Sequence, residues 1–198
     1  MKCARASRRY AVIACLICRW TIANGASAMS DTHTSHDNII LAGFMGAGKT
    51  TVGEIVAERL GREFIDTDTA ISEQTGLSIA QIFAERGEAA FRQLEAEVAQ
   101  GLAARSGLVI ATGGGMLMNA ANRHLLESSG VVICLQAAPD VIAERIAGES
   151  GRPLAADWRA LYESRRPIYE AIEQKIDTGD KSPEEVAEEV ITLWRSCL

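Results

Sequence analysis

The residues whose types and spacing most directly specify chemistry are Gly43-Phe44-Met45-Gly46-Ala47-Gly48-Lys49-Thr50, which satisfy G-x-x-x-x-G-K-[ST] between an apolar run and an amphipathic stretch. Glycines let such a loop curl with its N–H groups inward, and the N-terminus of the following helix adds partial positive charge, so nucleotide phosphates can replace water there. Lys49 is expected to reach the β- and γ-phosphates of ATP, and the Thr50 hydroxyl to coordinate Mg2+. Gly46, Ala47, Gly48 and Thr51 complete the expected nucleotide cradle.

Three further groups could act on whatever meets that nucleotide. Asp66-Thr67-Asp68 follows a second apolar run, where Asp66 can serve the metal sphere and Asp68 can face an acceptor hydroxyl as proton acceptor or orienter. An acid pair of this kind can equally be solvated loop chemistry. Gly113, Gly114 and Gly115 follow a third apolar run; such a triplet fills no core, which favours close backbone approach by a ligand over a plain turn. Arg152, in a segment carrying Gly148, Ser150 and Gly151, suits a lid that excludes water and neutralises charge during phosphoryl transfer.

The elements needed to hold these groups are legible as an α/β alternation. Strands are predicted at 39–42, 63–65, 108–111, 131–135 and 175–176, forming a five-stranded parallel sheet covered by helices on both sides. Val52, Ile55, Val56 and Leu60 give one helical stripe before Gly61. Ser78 caps a short helix through Ile79, Ile82 and Phe83, Gly87 breaks it, and Phe91, Leu94, Val98 and Leu102 mark a longer one running to about Arg105. Pro139 and Pro183 open two more. At strand ends of such a sheet, ligands collect beyond the carboxyl edges, where the loop, the acid pair and the glycines all fall.

Composition narrows the classes of partner. The 198 residues carry a net charge of -6, with 47% hydrophobic and 23% charged residues, so the chain is globular and lacks the basic footprint of a nucleic-acid binder. Positive charge must instead be concentrated at one cleft. The five cysteines are odd in number; Cys134 lies in an apolar run as a buried thiol, and a reduced, cytoplasmic setting is expected. No apolar run reaches the ~20 residues of a membrane span. Residues 1–28 run from basic to apolar to Ala26-Ser27-Ala28, in the order of a signal peptide, but Arg19 follows a short apolar core. A start at Met29, with 1–28 a leader or mis-assigned segment without fold and 29–198 the catalytic domain, is the expectation.

In the order of these motifs, the sequence from residue 39 to the terminal helix resembles the shikimate kinase family. The phosphate loop, the acid pair, Phe91-Arg92, the glycine triplet, Arg152-Pro153-Leu154 and Arg165-Arg166-Pro167-Ile168-Tyr169 each match. The resemblance implies a three-layer α/β/α phosphate-loop fold with short substrate-binding helices and a lid, acting as a monomer on ATP and shikimate. It implies that Asp68 holds acceptor hydroxyls, that Arg92 and Arg165 bind the acceptor's carboxylate, and that the Gly114 backbone supports a hydroxyl. Arg152 would close over the phosphates, and Arg145 and Pro183 would lie near adenine, with Phe83 and Phe91 flanking the acceptor. Two guanidinium forks suit a carboxylate, at ~1.5 to 3 kcal/mol per charge-assisted bond. Ala155 departs from the family's usual second Leu in the lid. A gluconate-type or nucleoside monophosphate kinase and a non-catalytic nucleotide-binding module are the competing expectations.

Overall fold

Alternation along the first strand already divides the molecule into two layers. In the computed structural model, which describes residues 37–148 and 158–198, β1 (Asn38–Ala42) is buried along its whole length. Ile39 and Leu41 face one cluster, Ile40 and Ala42 the other. Such a strand needs cover on both faces, the condition of a parallel sheet between helices. The contacts divide the chain into two units, 1–32 and 33–198, and every described residue belongs to the second.

The other strands are β2 (Glu63–Asp66), β3 (Leu108–Ala111), β4 (Gly130–Gln136) and β5 (Gln174–Asp177). The order is β2-β3-β1-β4-β5, all parallel, with Ile40 opposite Ile110 on one side and Val132 on the other. Because β3 and β4 lie on opposite sides of β1, the chain reverses its winding at the carboxyl end of β1, which opens a crevice there. All five predicted strands are present, four of them one or two residues longer than the apolar runs alone indicate. Asn38 anchors the opposite edge: its buried amide donates to Arg105 O at 2.7 Å and accepts from the Leu108 N–H at 2.9 Å.

The helices are α1 (Lys49–Leu60), α2 (Thr67–Thr75), α3 (Ile79–Ala103), α4 (Ala120–Ser129), α5 (Pro139–Gly148), α6 (Trp158–Ala171) and α7 (Pro183–Ser196). One layer takes Val52, Val56 and Ala57 of α1 with Val186, Val190, Ile191 and Trp194 of α7. The other takes Leu102 of α3, Leu126 of α4, Ile142 of α5 and Tyr169 of α6. Gly53 lets α1 settle on β2, since a Cβ there would enter the Phe64 ring.

Ser78 forms the expected cap, in a reciprocal box with Gln81. The two helices expected on either side of Gly87 form one element, α3, but Gly87 is non-helical at φ 78, ψ 171, so the break falls where the sequence places it. Sequence periodicity did not reveal α2, α4 or α6. Their apolar positions are sparse: α2 buries only Thr67 and Ile71, and α4 only Asn122 and Leu126. No helix among the described residues is long and apolar enough to cross a membrane. The segments 1–28 and 149–157, hence the leader, Arg152 and Ala155, lie outside the described residues.

Candidate active site

At the carboxyl end of β1, three glycines with positive φ shape the phosphate loop: Gly43 at 136°, Gly46 at 76° and Gly48 at 90°. Gly43 is also sterically required, because a Cβ there would run into the Leu135 carbonyl, while one on Gly46 would lie a tight 3.2 Å from Ile146 Cγ1. Gly48 is the N-cap of α1 and supplies no capping side chain. The first-turn N–H groups and the helix dipole therefore face an anion site with no side-chain oxygen in competition. The Lys49 ammonium arches back over the loop, donating to Gly43 O and Phe44 O at 2.9 Å each.

Asp66, at the end of β2, ties this loop to the next helix. Its Oδ2 accepts from the Thr50 hydroxyl at 3.0 Å, and its Oδ1 caps α2 through the N–H groups of Asp68 and Thr69 at 3.0 and 3.2 Å. Thr50 and Asp66 thus place two hard oxygen donors side by side at the loop's edge, the donor type that suits Mg2+. No cluster of three or more His, Cys, Asp or Glu stands among the described residues. Asp66 and Asp68 also border an open cavity of about 590 Å3 with Thr50, Ser72 and Ser78.

The glycine triplet proves to be a mould for side chains. A Cβ on Gly113 would run into the Asp68 carboxylate, one on Gly114 would sit 2.6 Å from Arg165 Nη1, and one on Gly115 would strike Arg92 Nη1. Three successive residues after β3 thus face, in turn, the acid and the two arginines singled out from sequence. The Gly113 N–H donates to the buried Thr67 hydroxyl at 2.7 Å, and the Gly114 carbonyl accepts from the Tyr169 hydroxyl at 2.8 Å. The carbonyls of Gly113 and Gly115 accept from Met116 and Met118 in the 3-10 turn that follows. Gly113 serves the site by admitting Asp68, since its own amide is engaged. Replacing Gly114 by Ala is expected to displace Arg165 and raise the acceptor KM about tenfold with little change in the KM for ATP, measured by steady-state kinetics.

Arg92 is held on both edges by carboxylates. Its Nη1 pairs with Glu95 at 2.7 Å, and its Nε and Nη2 share one oxygen of the exposed Glu88 at 3.2 and 2.9 Å. Glu95 is 1% exposed; burial pushes its carboxyl above the usual range, against the opposing pull of Arg92 and with a further push from Asp68. The i, i+3 spacing on α3 brings Arg92 and Glu95 together, and the fold buries the acid of the pair.

Of the adjacent Arg165 and Arg166, only Arg165 turns to the triplet. Its guanidinium lies 6.0 Å from the Phe44 ring centre, while Arg166 pairs with Glu163 and Glu170 on the outer face. Phe83 and Phe91 stack with centroids 4.8 Å apart, but Phe91 is core, packed with Ile71 and Ile82, while Phe83 is exposed.

Arg145 is tied into the phosphate-loop framework. It donates to Gly46 O, to the Thr178 hydroxyl and to the Thr178 carbonyl at 3.3, 3.0 and 2.6 Å, joining the loop to the segment after β5. Pro183 stands at the first turn of α7, behind a Ser182–Glu185 capping box. The structure thus places Lys49, Thr50 and Asp66 at one edge and Asp68, Arg92 and Arg165 around the triplet. Thr67, Tyr169 and Thr178 were missed: each is a buried hydroxyl whose partner is a backbone group distant in sequence, and nothing in local spacing marks such a bond.

Comparisons with known proteins place the chain in a family. The family model described as Shikimate kinase matches residues 45–195. A shikimate kinase of Pelotomaculum thermopropionicum is 46% identical over 160 residues, covering 78% of this chain and 93% of that protein. One from Geobacter sulfurreducens is 43% identical over 164 residues, 80% and 91% of the two chains. Among solved structures, shikimate kinase from Acinetobacter baumannii in complex with shikimate aligns with a TM-score of 0.76 and 38% identity, over 82% of this chain and 95% of that one.

Proposed function

Since the chain belongs to the shikimate kinase family, we propose that it transfers the γ-phosphoryl group of ATP to the 3-hydroxyl of shikimate, giving shikimate 3-phosphate and ADP, in the route to chorismate and the aromatic amino acids. The observation that carries this reading is the glycine triplet facing Asp68, Arg165 and Arg92 in succession, next to a phosphate loop. The reaction is a transfer between two oxygens, so the protein's work is chiefly to position the partners and neutralise developing charge.

In this reading the loop amides of Gly46, Ala47, Gly48, Lys49, Thr50 and Thr51 bind the phosphates. The Lys49 ammonium exchanges its carbonyl partners for β- and γ-phosphate oxygens. Arg92 and Arg165 receive the acceptor's carboxylate, Glu88 yielding its place on Arg92 because it is 67% exposed and readily rehydrated. The Gly114 and Gly115 amides support a hydroxyl. Asp68 orients the nucleophilic hydroxyl and takes its proton. Mg2+, held by Thr50 and through Asp66, would neutralise phosphate charge when bound with ATP. Arg145 and Pro183 border the adenine, and Arg152 closes over the phosphates from its lid. The catalytic domain spans 29–198, with 1–28 outside it, and it works as a cytoplasmic monomer.

The discriminating experiment is ADP release by the purified protein with Mg-ATP and, separately, shikimate, gluconate and a nucleoside monophosphate. Turnover with shikimate alone is expected; turnover only with gluconate would overturn the assignment. Gluconate is the apt control, because a gluconokinase from Sinorhizobium meliloti shares the fold with a TM-score of 0.53 at 19% identity, over 83% of this chain and 97% of that one.

A further inference from the structure

Tyr169 is assigned no contact with the reacting atoms, yet its hydroxyl bonds to the glycine turn that meets the acceptor. It is on α6, one helical turn beyond Arg165, so both side chains leave the same face of the helix. Its ring is packed into the core at 6% exposure, and its hydroxyl emerges beneath the glycine triplet, where it donates to Gly114 O at 2.8 Å. The Arg165 guanidinium stands beside that hydroxyl at the same glycine: a Cβ on Gly114 would lie 2.6 Å from Arg165 Nη1 and 3.8 Å from the Tyr169 oxygen. The phenol therefore joins the two elements, α6 and the turn after β3, that present a guanidinium and a backbone amide to one acceptor.

Resting on the reading of the site given above, we propose that Tyr169 is a positioning residue for the acceptor: its hydroxyl fixes the plane of the peptide at Gly114, the glycine against which the Arg165 guanidinium lies, so that backbone and guanidinium engage the polyhydroxy acid together. A peptide unit is planar, so holding the carbonyl of Gly114 also limits how the residues on either side of it can rotate. Gly114 is free of Cβ constraint and is the position where such pinning matters most. Burial pushes the phenol up to about 12, Arg165 opposing that shift and Cys134 adding to it, so Tyr169 stays a neutral donor throughout the working pH range.

The test is Tyr169→Phe, which keeps the ring. The KM for shikimate should rise about tenfold, kcat should fall by a smaller factor, and the KM for ATP should hold, as expected for loss of one hydrogen bond that aligns binding groups. A purely structural role would instead lower Tm and the active fraction and leave the KM for shikimate unmoved; that result overturns the proposal. Should Tyr169→Phe not fold, a ring-fluorinated tyrosine at position 169 preserves size and donor while acidifying the phenol. The KM for shikimate in that protein should then climb as pH passes the lowered phenol pKa, a rise the unmodified protein lacks, and a flat profile across that pKa overturns the proposal. Absence of shikimate turnover in the unmodified protein would defeat the functional assignment itself, whereas normal turnover with an unmoved Tyr169→Phe defeats only this inference.

Discussion

Asp68→Asn is expected to lower kcat by ~10² or more while the KM for ATP changes less than about twofold, because the variant loses a proton acceptor and keeps the phosphate loop. Asparagine is nearly the shape of aspartate, so it fits the space that Gly113 opens for it. The backbone of residue 68, which donates to Asp66 Oδ1 and accepts from the Ser72 hydroxyl, is untouched, so the start of α2 and the Thr50–Asp66 pair survive. Steady-state kinetics with both substrates varied, together with direct ATP titration, measure the two effects separately. A kcat within threefold of wild type would show that Asp68 neither accepts the proton nor aligns the hydroxyl. A comparable loss of ATP affinity would show instead that its charge acts on the nucleotide side.

Much of this frame could be read from the residues alone because its signals are local. An eight-residue phosphate loop, apolar runs of four or five residues, Gly87 within a helical pattern and Ser78 before one all act through neighbours in sequence, and the structure has each where spacing puts it. The site was less legible for a physical reason. Arg92 and Arg165 are 73 residues apart, and they meet only because β3 lies between β2 and β1 and delivers Gly113 to Gly115 between them. From its residues alone the triplet is a place for a ligand to approach the backbone. It is equally the place where three side chains approach, a role visible only once Asp68, Arg165 and Arg92 are seen against the missing Cβ atoms. Helical spacing is enough to pair Glu95 with Arg92, but its burial depends on α3 packing against the 3-10 turn at Met116–Met118, which no local pattern reveals.

Burial of Glu95 makes Arg92 a residue with two separable duties, and Arg92→Ala should expose both. Loss of its guanidinium removes charge-assisted bonds to the acceptor's carboxylate, at ~1.5 to 3 kcal/mol each, so the KM for shikimate should rise roughly 10²-fold with a smaller change in kcat. The same change strips a buried carboxylate of its partner. Breaking a fully buried pair costs ~3 to 5 kcal/mol, but Arg92 is 36% exposed, so roughly 1 to 3 kcal/mol of stability is the expected loss. The pH dependence identifies its origin. Glu95 in the folded protein already holds its proton more tightly than an ordinary carboxyl, through burial, and Arg92 opposes that shift. Without Arg92 the folded-state pKa rises further above the unfolded value, so the folded state binds more protons than the unfolded one, and stability falls as pH rises from the ordinary carboxylate range through the raised pKa. The gap in Tm between wild type and Arg92→Ala should therefore be small in acid and widen toward neutrality. Adding Glu95→Gln removes the titrating group, and the double variant should recover a flat pH profile and much of the lost Tm while its KM for shikimate stays high. A Tm gap independent of pH would separate Glu95 from the effect, and a KM for shikimate unmoved by Arg92→Ala would remove Arg92 from acceptor recognition. Recovery of both Tm and KM in the double variant would mean that Arg92 acts on the acceptor only by neutralising Glu95, a different division of labour within the same pair.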